Sequence, residues 1–152
     1  MADPFSLLAA AAGLADVSVK TSLGLRSLVL EFKHAPALIL ALSNEIAEIS
    51  IALERVNESR QAIENLGDSQ HDAAFLVCLD SQLNNARAAL ADLESLTAVL
   101  SQGKKINKRF RWLRQKNHAM ELKGRLKEVR ETINELLVAH FPSVYTRRLA
   151  SQ

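Results

Sequence analysis

Apolar residues recur at alternating steps of four and three along most of this chain. Leu7, Ala11, Leu14, Ser18, Thr21, Leu25, Leu28 and Phe32 form the first such run, with two small hydroxyl residues in apolar register. That rhythm keeps one face of a helix turned toward the same neighbours. Leu8, Ala12, Ala15 and Val19 widen the stripe, so the first half of the helix is apolar nearly all round. Asp3 as N-cap and Pro4 in the first helical position make a favoured opening. Pro36 disfavours helical geometry at Ala35, so the helix is expected over about residues 4–34. Gly13 and Gly24 each weaken it by ~1 kcal/mol relative to alanine. A bend or a close approach by a neighbouring helix is expected at those two points.

The second pattern opens at Pro36 and runs to Leu66, with Gly67 as its stop. Leu42, Ile46, Ile49, Leu53, Val56 and Ile63 keep the rhythm, broken by Arg60. A third helix is expected over about 70–102. Ser69 and Asp72 form a variant of the capping box at its start, with Asp in place of the usual Glu. Its seam is Leu76, Leu79, Leu83, Ala86, Leu90, Leu93 and Leu100, and Gly103 ends it. The apolar phase then slips near Asn117. Ile106, Phe110 and Leu113 read as the seam of a short helix over 104–116, with Trp112 at the seam's edge and partly buried. Leu122, Leu126, Val129, Ile133 and Leu136 resume a clean stripe over about 118–140.

These segments predict an all-α protein. The expected architecture is an antiparallel four-helix bundle over residues 1–140, with the short basic helix placed before the last long one. Residues 141–152 form a C-terminal tail. Tight connections favour antiparallel neighbours, and a sustained seven-residue rhythm favours near-aligned packing. Gly and Pro breaks every thirty residues or so argue against one long coiled coil.

Composition agrees: 48% of the 152 residues are hydrophobic but only 5% aromatic, and Gly and Pro are few. Leu, Ala, Glu, Lys and Arg lose little entropy in helices. The net charge of +2 conceals an asymmetry. Residues 34–100 carry −7 and residues 101–152 carry +9. The middle and the end should therefore attract each other, or attract different partners. Seven bases and no acid fall within residues 104–116.

The search for chemistry is short. The single cysteine, Cys78, sits beside Phe75, Leu76 and Leu79 and reads as a buried small hydrophobe. Glu31–His34 and Asp68–His71 have the spacing of helical metal ligands, but both fall at helix ends, away from any mid-bundle seam. No Gly-rich phosphate loop or nucleophile motif occurs. The chain reads as a non-enzyme without a cofactor or a metal site. Its bases circle the 104–116 segment instead of lining one face, which disfavours nucleic acid. An anionic membrane fits them at least as well, and so does pairing with the acidic second and third helices. The N-terminus lacks the basic lead-in of a secretory signal, and no charge-free run approaches the ~20 residues of a membrane span. A cytoplasmic protein is expected.

The opening Met1-Ala2-Asp3-Pro4-Phe5-Ser6, followed by Leu7-Leu8-Ala9-Ala10-Ala11-Ala12-Gly13-Leu14, resembles the start of the HeLo-like N-terminal domains of fungal NLR-type (STAND) proteins. Arg111-Trp112-Leu113-Arg114-Gln115-Lys116, leading into Leu122, Leu126, Val129 and Ile133, is similar to the same family. The resemblance covers roughly residues 1–140, and its N-terminal motif is the more specific part. It implies a helical effector domain placed ahead of a nucleotide-binding switch and repeats. Related HeLo domains execute cell death by oligomerising and targeting membranes through an N-terminal helix. They are similar in architecture to the four-helix bundle of mixed-lineage kinase-like pseudokinases.

The reading that follows is a self-associating effector recruited to the plasma membrane on activation. Phe5, Leu7, Leu8 and Leu14 are its insertion candidates. Lys104, Lys105, Lys108, Arg109, Arg111, Arg114 and Lys116 are its anionic-surface candidates. The alternative is a helical adaptor or oligomerisation module that binds a partner helix and has no membrane activity.

Overall fold

The computed structural model describes residues 3–31, 37–102 and 105–142, which are helical nearly throughout. The elements are α1 (Pro4–Glu31), α2 (Ala37–Glu58), α3 (Arg60–Glu64), α4 (Gln70–Ser101) and α5 (Lys105–His140). The expected positions of Phe32, His34 and Gly103, and the 141–152 tail beyond Pro142, lie outside the described residues.

The first helix opens as its sequence predicts. Asp3 Oδ2 accepts from the backbone N–H of Ser6 at 3.1 Å and from its hydroxyl at 2.9 Å. Leu7, Leu8, Ala11, Leu14, Leu25 and Leu28 enter the core. Ser18 and Thr21 are buried among them because each hydroxyl donates to a carbonyl one turn back, Leu14 O and Val17 O, both at 2.8 Å. The local acceptor offsets the desolvation cost of burying each hydroxyl. Of the two glycines, Gly24 marks a close approach, since a Cβ there would lie 3.5 Å from the Thr97 methyl, whereas Gly13 has open space around it.

Two expected boundaries move. The second helix does not run unbroken to Leu66. Ser59, buried and at φ −82°, ψ 9°, tilts the chain out of helical geometry and separates α2 from α3. The backbone bonds still span the bend, from Ser59 N to Arg55 O and from Ile63 N to Ser59 O. The separate basic helix over 104–116, with its phase slip near Asn117, is also corrected. Residues 105–140 form one continuous helix, and the short extra element is α3. The reason is a different phase. Trp112, Ala119, Leu122, Leu126, Val129, Ile133 and Leu137 are all buried on one stripe that crosses Asn117 without a slip. Phe110 and Leu113, expected in the seam, face solvent at 68% and 64% exposure. Leu136 is only partly buried, and Leu137 takes the core position.

The four long helices enclose one core, but chain neighbours are not all spatial neighbours. α1 packs on α2 and α4, and α5 packs on α4 and α2. Among the described residues the backbones of α2 and α4 do not approach each other, so the two helices face each other across the core. Paired residues fix the directions. Gly24 meets Thr97, and Ala9 and Gly13 line the same seam as Arg87 and Leu90, so α1 and α4 run parallel, as do α2 and α5 through Glu45–Arg130 and Arg55–Asn134. Asp92–Arg125 and Asp72–His140 set α4 and α5 antiparallel. The bundle is thus two antiparallel helix pairs, α1–α2 and α4–α5, laid side by side. α3 carries the chain from one pair to the other and packs against both α1 and α2.

The turn into α4 uses the predicted cap with one difference. Ser69 Oγ accepts from Asp72 N at 3.1 Å, while the Asp72 carboxylate reaches back to Gly67 N at 3.1 Å. The shorter Asp side chain is thereby engaged two residues before the cap.

Candidate interaction surfaces

The insertion candidates divide by face. Leu7, Leu8 and Leu14 are buried, whereas Phe5 is 63% exposed. The buried seam therefore does not account for all the apolar character of α1. Phe5, Ala9, Ala12, Val19 and Leu23 are exposed, and with Asp16 they repeat the four-three step of the buried seam. Two residues' offset turns a helix by ~200°, so this second stripe lies on the opposite side. A helix with two such seams has one partner face filled and one open. Asp16 is the polar interruption on the open side.

Although its charges break up any apolar run, α1 is long and apolar enough over Pro4–Val29 to cross a membrane by length and composition. Only 33% of its most apolar window is buried.

The seam between α1 and α4 is not closed from outside. A depression of ≈ 500 Å³ is lined by Ala9, Ala10, Gly13, Leu90 and Ala91, among others. It continues through Val17 and Glu94 into one of ≈ 460 Å³ beside Lys20, Gly24 and Ala98. Small side chains on both helices produce this groove, and Lys20, Arg87 and Glu94 rim it.

The charge asymmetry is used, but by the second half of α5. Arg130 lies against Glu45 of α2, with Nε–Oε2 at 3.1 Å and Nη2–Oε1 at 3.4 Å. The Glu45 hydrogen bond pushes the Arg130 guanidinium above its ordinary value, overcoming burial. Arg125 meets Asp92 of α4 at 2.7 Å. Among the described residues no ion pair engages Arg111, Arg114 or Lys116. Arg111 is half-buried, and its Nη1 is buried without a hydrogen-bond partner. The side chains of Lys104, Lys105, Lys108 and Arg109 lie outside the described residues.

One end of the bundle gathers rings. His140 stacks on Phe75 with centroids 4.2 Å apart and on His71 at 4.9 Å, and Phe141 stands edge-on to it. His71 is thus part of a packed stack. Among the described residues no group of three His, Cys, Asp or Glu side chains is placed to hold a metal ion. Cys78 is corrected: it is exposed, beside exposed Val77, because Phe75, Leu76 and Leu79 take the inward positions.

No family model, curated protein or solved structure matches this chain.

Proposed function

We propose that this chain is a non-enzymatic effector or signalling domain that self-associates through the outward face of α1 and engages membranes with the same helix. The observation that carries the proposal is the second, open seam of α1, opposite the one that fills the core. Two copies of that seam can bury each other, and its single polar position, Asp16, is a device that fixes register at some cost in stability. The length and apolar composition of Pro4–Val29 support the membrane half, and Arg114 and Lys116, which make no ion pair among the described residues, favour an anionic leaflet. Because Leu7, Leu8 and Leu14 are buried in the bundle, deep insertion requires α1 to leave it.

The test is a Val19→Glu, Leu23→Glu double variant, both positions being exposed. Light scattering should show that the parent self-associates and the variant does not. Leakage of anionic vesicles should fall with it. Equal self-association and equal leakage in parent and variant would remove the reading. A second reading, a helical adaptor without membrane activity, is favoured by the open α1–α4 groove, whose small side chains can accept the ridge of a partner helix. Self-association that depends on the groove, with no lipid binding, would select it.

A further inference from the structure

We infer that the outward face of the first half of α5 is a docking face for an anionic bilayer, on which the closed bundle lies flat. This shares the membrane with the reading above but uses a different helix and no release of α1.

The seam phase of α5 places three large apolar side chains outside. Phe110, Leu113 and Met120 are all more than half exposed. Their spacing of three and seven sets them on one stripe, and ten residues of helix span ~15 Å. The exposed bases Arg114 and Lys116 flank that stripe on either side, by the ~100° step of a helix. From residue 104 to residue 120 the sequence holds seven bases and no acid, and the first acid is Glu121. An apolar strip flanked by bases on both sides, interrupted by exposed Asn117 and meeting an acid only at its far end in Glu121, is the pattern of a helix that lies in the headgroup plane. The rings and the Leu and Met chains reach the acyl boundary while the bases stay among phosphates.

Charge selects the partner. A neutral apolar surface would leave these bases without counter-charges, whereas Arg125 and Arg130 further along α5 are paired with Asp92 and Glu45. Trp112, one residue from Leu113, is 8% exposed and holds the segment to the core, so docking need not open the bundle.

The experiment is co-sedimentation of the full chain with phosphatidylcholine vesicles, with and without phosphatidylserine, alongside light scattering in the absence of lipid. Two surface variants are compared, Phe110→Ser with Leu113→Ser, and Arg114→Glu with Lys116→Glu. The parent should bind only the vesicles that contain phosphatidylserine. Each variant should lose at least about tenfold in binding, each base near a charged leaflet being worth roughly fivefold. Circular dichroism and Trp112 emission should stay at parent values in both, and Val19→Glu, Leu23→Glu should leave this binding intact. Binding equal to the parent in the Phe110/Leu113 variant would overturn the inference, as would binding without regard to phosphatidylserine. Loss of self-association with unchanged lipid binding would also overturn it and assign the stripe to a protein contact. Leakage that fails while phosphatidylserine-dependent binding persists would strike the α1 reading alone.

Discussion

His140 Nε2 lies 2.9 Å from Asp72 Oδ1, tying the last turn of α5 to the first turn of α4. The contact is largely shielded, with the His140 side chain 7% exposed, and it closes the end of the bundle at which the chain enters α4. Asp72 serves three partners at once: the imidazole, the Gly67 amide and, through its own N–H, the Ser69 hydroxyl.

Partial burial alone would raise the Asp72 carboxyl, but the bonds from Ser69, His140 and Gly67 outweigh it and hold the group below its ordinary value. A carboxylate depressed in the folded state contributes stability above its unfolded value, and that contribution is lost as pH falls through the folded value. Asp72→Asn is therefore expected to lower Tm at neutral pH. The gap between variant and parent should close as pH drops below about 4. Thermal melts across acidic pH check this; a constant gap would mean that the pair adds no charge-dependent stability.

Arg130 and Glu45 are both mostly covered, whereas Arg125 and Asp92 are substantially exposed. Removing one side of a covered pair leaves the other charge without a partner, and exposed pairs are worth ~0–1 kcal/mol. Arg130→Ala should cost about 1–3 kcal/mol, between the exposed and fully buried limits. Arg125→Ala should cost less than about 1 kcal/mol. Urea unfolding of the two variants decides, and equal losses would place both pairs in the exposed class.

The early part of α5 is held by Trp112 and Ala119 in the core and by continuity with the rest of the helix. Ion pairs between helices lie further along, at Arg125 and Arg130. Amide exchange over residues 112–119 should therefore show the same protection at low salt and at 1 M salt, where the Debye length is only ~3 Å. Protection that collapses at high salt would show that charge, not packing, keeps the segment down.

Cys78 faces solvent on α4. A thiol reagent should label it fully in the native protein, at a rate close to that of the unfolded chain. Protection in the native state would mean that another surface covers this face of α4, and self-association would be the first cause to examine.

Much of the fold was written in the sequence, because the four-three rhythm marks the core-facing seams of α1, α2 and α4. The buried seams of α1 and α2 fall where the four-three rhythm puts them, and the Ser69 cap donates no ambiguity to the start of α4. α5 was harder because its first half is apolar on two faces. Following Phe110 and Leu113 forces a slip at Asn117, whereas following Trp112 does not. Local sequence gives no reason to prefer the bulkier single ring, and only packing against α2 and α4 chooses. Cys78 was misjudged for a related reason: its apolar neighbours are on the helix but not on its side. The open seam of α1 was visible as widening of the stripe, yet only the packed bundle distinguishes the covered face from the bare one. The crossing between α2 and α4 had no sequence signal at all, since a short link suits adjacent and diagonal helices alike.

Diagonal placement of α2 and α4 shapes the route by which this chain folds. Within α1–α2 and α4–α5, partners are brought together over short links, so little loop-closure entropy is lost in forming either unit. Joining the units requires Gly24 to find Thr97 and Glu45 to find Arg130, contacts between residues far apart along the chain. Such non-local pairing slows folding relative to a bundle in which every neighbour follows in sequence. Contact between the two helix pairs is thus the long-range part of folding, and a pair formed without the other would show its apolar interior to any other chain nearby.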